Sequence, residues 1–167
     1  MIIKMNKAMK KRLAAMPIRF YEDGFTYFCD RFVCYRYPEL VENVPLDPDT
    51  KTKLAWIFDD EKYKYRLAEN QPDMEALKGK NRVFFGAQGQ LVNAKYIREA
   101  FSFLGVGATF FPSFLNRFNP VYVSYLSLEV KSEWEAVIMP MRYGSEKEIE
   151  MEKCLVLNDS EEWIATF

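Results

Sequence analysis

Histidine is absent from this chain of 167 residues, and with it go the commonest general base and the commonest zinc ligand. Ser-His and Cys-His nucleophile pairs are thereby excluded. Three cysteines remain, Cys29, Cys34 and Cys154, an odd number at irregular spacing that reads as free, partly buried thiols in a reducing compartment. Asp59, Asp60 and Glu61, with Asp47 and Asp49, form the one carboxylate cluster dense enough to suggest a metal. They lack EF-hand spacing and read as a solvated loop, so no metal and no other cofactor is expected. Gly86-Ala-Gln-Gly89 and Gly105-Val-Gly107 lack the spacing and neighbours of a phosphate loop or a dinucleotide fingerprint. No acid and base are paired at a recognisable spacing, and an enzyme is not expected.

Residue types suited to binding are better represented. Met139 and Met141 flank Pro140 in the run Glu135-Ala-Val-Ile-Met-Pro-Met-Arg142. A proline cannot donate to a sheet ladder, which places Pro140 at a strand end, a bulge or an exposed edge. Thioethers on unbranched chains repack around different partners, so Val137, Ile138, Met139, Pro140 and Met141 form a candidate peptide-docking surface, with Arg142 as its orienting polar contact. Lys4, Lys7 and Lys11 fall nearly in a line at helical pitch, either as a solvated face or as a stripe facing phosphate. Lys62, Lys64 and Arg66 alternate with Tyr63 and Tyr65, the pattern of an edge strand protected by its charges.

Helices and strands must hold these groups in place. Met5 to Met16 is helical by pattern, with Met5, Met9, Leu13 and Met16 on one face and Pro17 ending it. A second helix is capped by Asn93, buries Ile97, Ala100, Phe101 and Leu104, and ends at Gly105. Lys95 and Arg98 point away from that stripe. Residues 18 to 37 read as strands cut by turns at Glu22-Asp23-Gly24 and Asp30-Arg31. Phe25, Tyr27 and Cys29 alternate there with Thr26, Phe28 and Asp30, so one face should pack while the other partly sees water. Three more strands are expected near 108–114, 120–130 and 133–142, with Lys131-Ser132 turning between the last two, and short elements at Met1 to Lys4 and Lys51 to Phe58. Pro38, Pro45, Pro48 and Pro72 punctuate a connector between them. The sum is an α+β domain with both helices on one face of antiparallel sheet.

An apolar fraction of 49% supports one buried core, and a formal charge of −1 gives no global pull towards nucleic acid. Any such contact needs a local basic face. No apolar run follows the N-terminal Met1-Ile-Ile-Lys-Met-Asn-Lys, so neither a signal peptide nor a membrane partner is expected and a cytoplasmic location is.

Residues 91 to 142 resemble the final domain of bacterial DNA polymerase sliding clamps. Leu91-Val-Asn-Ala-Lys-Tyr-Ile is similar to the helix entry of a clamp repeat, Asn119-Pro-Val-Tyr-Val to its penultimate strand, and Ala136-Val-Ile-Met-Pro-Met-Arg142 to the closing strand. Lys7 to Met16 followed by Phe20 to Pro38 is a weaker echo of the same repeat. The resemblance implies two βαβββ-like halves, about 1–40 and 82–143, joined by a connector over 41–81 and followed by an extension over 144–167. It also implies a processivity or DNA-metabolism accessory role. Clamp helices line the ring interior, so Lys7, Lys11, Lys95 and Arg98 would face duplex DNA phosphate, with Glu99 partly cancelling their charge. Polymerase or other replication-protein peptides would dock on 137–142. Clamp subunits carry three such domains and end soon after the Met-Pro-Met-Arg segment, whereas this chain has material for one domain and continues with an acidic run and Trp163-Ile-Ala-Thr-Phe167. A ring would need a homo-oligomer. The alternative expectation is a clamp-derived interaction or regulatory module that does not bind DNA, such as one from a mobile element.

Overall fold

Runs rich in aromatic and β-branched side chains form the strands of two meanders, each reversed by short turns. A computed structural model describes residues 7–41, 58, 64–86, 89–105, 107–113, 115–125, 134–145 and 151–157. Helix α1, Lys7–Ala14, leads into a meander of β1, Ile18–Glu22, β2, Phe25–Cys29, and β3, Val33–Tyr37. Next come β4, Arg82–Phe85, β5, Gln90–Asn93, and helix α2, Ala94–Leu104. A second meander follows: β6, Ala108–Pro112, β7, Val121–Tyr125, and β8, Glu135–Ile138. A 3₁₀ turn at Met151–Lys153 then introduces β9, Cys154–Leu157. The short strand expected at 1–4, residues 51–57 of the short helix or strand expected over Lys51 to Phe58, the carboxylates Asp47, Asp49 and Asp59 to Glu61, the Lys131-Ser132 turn and the Trp163 to Phe167 segment lie outside the described residues.

The turns follow from local chemistry. Glu22 pairs with Phe25, leaving a two-residue loop in which Asp23 (φ 50°) and Gly24 (φ 85°) both take the positive φ of a type I′ hairpin. At the next turn the Asp30 carboxylate accepts the N–H groups of Phe32 (2.7 Å) and Val33 (2.9 Å), holding the chain bent until β3 begins.

The six meander strands join in one antiparallel sheet of order β1-β2-β3-β8-β7-β6. Both helices cover the same face of it. Met9 and Leu13 of α1 and Ile97, Ala100 and Leu104 of α2 share a core with Phe28, Tyr35, Phe110, Val123, Ala136 and Ile138. This is the expected α+β arrangement. A separate small sheet, β5-β4-β9, packs beside α2, with β9 parallel to β4. Part of the expected extension over 144–167 is thus a strand of the fold.

Two expectations are corrected. The second face of the large sheet does not see water at β2, where Thr26 to Cys29 are all buried, because Phe20, Tyr27, Cys29, Cys34, Phe58 and Val137 form a core of their own on that side. The cysteines are not all free. Cys29 and Cys34 face each other in the β2–β3 register and are joined as a disulfide, with their Cα atoms 4.1 Å apart. The adjacent Asp30 N–H donates to the Val33 carbonyl, which makes 29/34 a non-hydrogen-bonded pair, the kind that brings opposed side chains closest. Cys154 is free and buried.

Pro140 sits where the chain leaves one sheet for the other. Met139 donates its N–H to the Phe32 carbonyl (2.8 Å) and Met141 donates to Leu91 (2.6 Å), so the position between them is one at which a missing donor costs no ladder bond. β8 itself ends at Ile138.

Candidate functional site

Strands β4 and β5 pair Arg82 with Asn93, and β4 and β9 pair Arg82 with Cys154, so one end of the small sheet brings together three distant parts of the chain. Asn93 also caps α2: its side-chain oxygen accepts the Lys95 N–H at 2.9 Å. One turn on, Arg98 lies over the same end of the sheet. These elements enclose a cleft of about 430 Å³ lined by Asn81, Arg82, Asn93, Lys95, Arg98, Met141 and Lys153. Four of the seven lining residues are cationic and none is acidic.

The cations are held in different ways. Arg98 donates from Nη2 to the carbonyls of Leu77 (3.0 Å) and Lys80 (2.6 Å), which fixes the guanidinium against the wall. The neighbouring Lys80 donates Nζ to the Glu152 carbonyl (2.9 Å), and Asn81 donates its backbone N–H to the Lys153 carbonyl (2.9 Å), tying the 80–82 approach to the start of β9. Lys95 is exposed and stands 5.7 Å from the Tyr96 ring. Among the described residues, no carboxylate forms an ion pair with Arg82, Lys95 or Arg98. Beneath the cleft, burial pushes the Cys154 thiol up to about 11 although Arg82 and Lys80 pull the other way. Cys154 therefore stays protonated near neutral pH and is a poor nucleophile.

Of the four residues expected to face phosphate, Lys95 and Arg98 line the cleft, while Lys7 and Lys11 lie exposed on α1 and do not. Glu99 does not neutralise Lys95 or Arg98. Its carboxylate instead takes Arg12 of α1 (2.9 Å) and the Tyr35 hydroxyl (2.7 Å), and Arg12 also reaches Asp30 (3.2 Å), so this acid ties the helices to the sheet. Sequence reasoning missed Arg82 and Lys153. Arg82 follows Lys78 and Lys80, Lys153 stands among glutamates, and only strand pairing makes them neighbours.

The expected docking run divides in two. Val137 and Ile138 are fully buried, because β8 lies between β3 and β7 with both faces covered, and they cannot contact a peptide. Past the strand end, Met139 and Arg142 are exposed and Pro140 and Met141 are partly so. Met139 adjoins Phe32, which is exposed and stacks on Tyr96 (5.8 Å). Met141 turns instead towards the small-sheet core of Phe84, Leu91, Tyr143 and Cys154.

No protein-family model, curated protein or solved structure matches this chain. Among the described residues, no helix is long and apolar enough to cross a membrane, and no group of metal-ligating side chains is clustered.

Proposed function

We propose that this protein is a non-enzymatic accessory module that grips the sugar–phosphate backbone of nucleic acid in the cleft of the small sheet. One observation carries the reading: Arg82, Lys95, Arg98 and Lys153, from three separate segments, converge on one concavity without a carboxylate in its lining. On a protein of net charge −1, so local a concentration of cations suits an anionic partner. Backbone contacts position nucleic acid without reading its sequence, which suits an accessory role in DNA metabolism. The helix-then-three-strands order that occurs twice here supports a clamp-like origin.

The test is fluorescence anisotropy with a labelled oligonucleotide at low salt. Each charge-assisted contact contributes about 1.5 kcal/mol, so Arg82→Glu with Lys153→Glu should weaken binding roughly a hundredfold. Lys10→Glu, on exposed α1 away from the cleft, should change little. Equal losses in both variants would show that overall charge, not the cleft, governs binding. A protein that ignores nucleic acid but takes up a clamp-binding peptide at Met139 and Phe32 would be an interaction module instead.

A further inference from the structure

Next to the cleft, a short loop holds an aromatic ring out in solvent. Phe118 is 53% exposed, yet the loop around it is closely built. Buried Gln90 donates from Nε2 to the carbonyls of Ser113 (2.7 Å) and Asn116 (3.2 Å). The Asn116 side chain accepts the Phe118 N–H (2.8 Å), and Asn119 donates its side-chain amide to the Ser113 hydroxyl (3.3 Å). Such a network immobilises a loop, and here it fixes a large apolar side chain in water, where burial contributes least.

The ring is framed by cations. The Arg117 guanidinium lies between two aromatic rings, 5.0 Å from Phe118 and 4.5 Å from Tyr143. Arg142, exposed, stands 5.9 Å from Phe118. Arg142 follows Met141, a lining residue of the cleft, so their Cα atoms are about 3.8 Å apart. An aromatic face flanked by guanidinium groups and set beside an anion-binding cleft matches an unstacked base attached to a bound phosphate. A flat base needs about 3.5 Å on each side. The Arg142 guanidinium carbon stands 5.9 Å from the Phe118 ring centroid, and the exposed Arg142 side chain would have to swing outwards until roughly 7 Å separates the two planes.

From this we infer that the preferred ligand is single-stranded nucleic acid, with the backbone in the cleft and a base stacked between Phe118 and Arg142. The inference rests on the cleft reading and adds to it. A duplex keeps its bases stacked on one another and gives Phe118 nothing to hold.

The experiment compares a labelled oligothymidylate with a duplex of equal length, using the full chain. The single strand should bind at least tenfold more tightly. Phe118→Ala should weaken the single strand roughly tenfold, the usual worth of one stacked base, and leave the duplex unchanged. Phe118→Trp should keep single-strand affinity and show fluorescence quenching on titration beyond that of the wild type. Duplex binding as tight as single-strand binding, an indifferent Phe118→Ala, or an unquenched Phe118→Trp would overturn the stacking inference. If Arg82→Glu with Lys153→Glu still abolished binding in that case, the cleft reading would stand alone. Binding of neither nucleic acid by the wild type would overturn both, as would an acidic peptide bound in a Phe118-dependent way in their place.

Discussion

At the scale of single residues, the most consequential side chain away from the cleft is Glu99. It accepts from Arg12 and from Tyr35, whose ring is fully buried between the sheet and the helices. Burial, and then the Glu99 charge, hold the Tyr35 hydroxyl well above its ordinary value near 10. On the other face, burial and the Glu135 carboxylate raise Tyr122 in the same sense. In the unfolded chain both phenols ionise near 10, whereas in the folded one they stay protonated to higher pH. Their contribution is therefore complete below pH 10 and is lost as pH rises towards the folded values. Stability should fall by about 1.4 kcal/mol per pH unit for each of the two tyrosines once pH exceeds about 10. Urea midpoints taken across that range should show it, and Tyr35→Phe should remove one tyrosine's share of the slope. An unchanged slope in Tyr35→Phe would mean that Glu99 and burial do not hold that proton.

Elements are bounded here by backbone conformations that few residues can adopt. Gly105 ends α2 with φ 85° and ψ −169°, a region essentially reserved for glycine, while its N–H closes the helix on the Phe101 carbonyl (2.8 Å). Gly24 has φ 85° inside a two-residue hairpin turn. An added Cβ would meet no atom within 4 Å at either position, so an alanine is opposed by backbone conformation alone. Gly105→Ala should cost about 2 kcal/mol and Gly24→Ala about 1 kcal/mol, read as shifts in urea midpoint at constant slope. A neutral Gly105→Ala would mean that the helix ends differently. These same punctuation marks made some of the elements legible beforehand: Asn93 and Gly105 bracket α2 and Asp23-Gly24 marks the first hairpin, whereas the strand expected over 133–142 is only Glu135–Ile138 and stops before Pro140. The small sheet was not legible. Its β4 is an unbroken apolar run, Val83 to Phe85, and β5 opens with Gln90, a polar residue that is fully buried because Ser113 and Asn116 satisfy its amide nitrogen. Neither strand shows the alternation by which the meanders announce themselves.

Across the whole molecule, the candidate site was half legible, and the reason lies in what periodicity can report. Lys95 and Arg98 share a helix whose apolar stripe points the other way, so their common direction follows from pitch. Arg82 lies in β4 and Lys153 directly precedes β9, the distant strand that pairs with β4, and no local pattern contains that fact. Val137 and Ile138 were misplaced for the converse reason: an apolar run looks the same whether it meets a peptide or a second buried layer. The count of cations in the cleft is open to measurement. With Lys+Arg at 23 and Asp+Glu at 24, the protein has no long-range attraction to a polyanion, and affinity should depend on salt only through the groups that touch phosphate. Four contacts to a single strand, at about 0.7 counterion each, predict a slope of log affinity against log salt near −2.8. Replacing Lys95 and Lys153 together by alanine should flatten it by about 1.4, whereas Lys7→Ala with Lys11→Ala should leave it where it was. Anisotropy titrations between about 50 and 200 mM salt resolve that difference. If the α1 lysines proved to carry the slope and the cleft lysines did not, phosphate would run along the helices as in a clamp, and the small sheet would serve only to brace them.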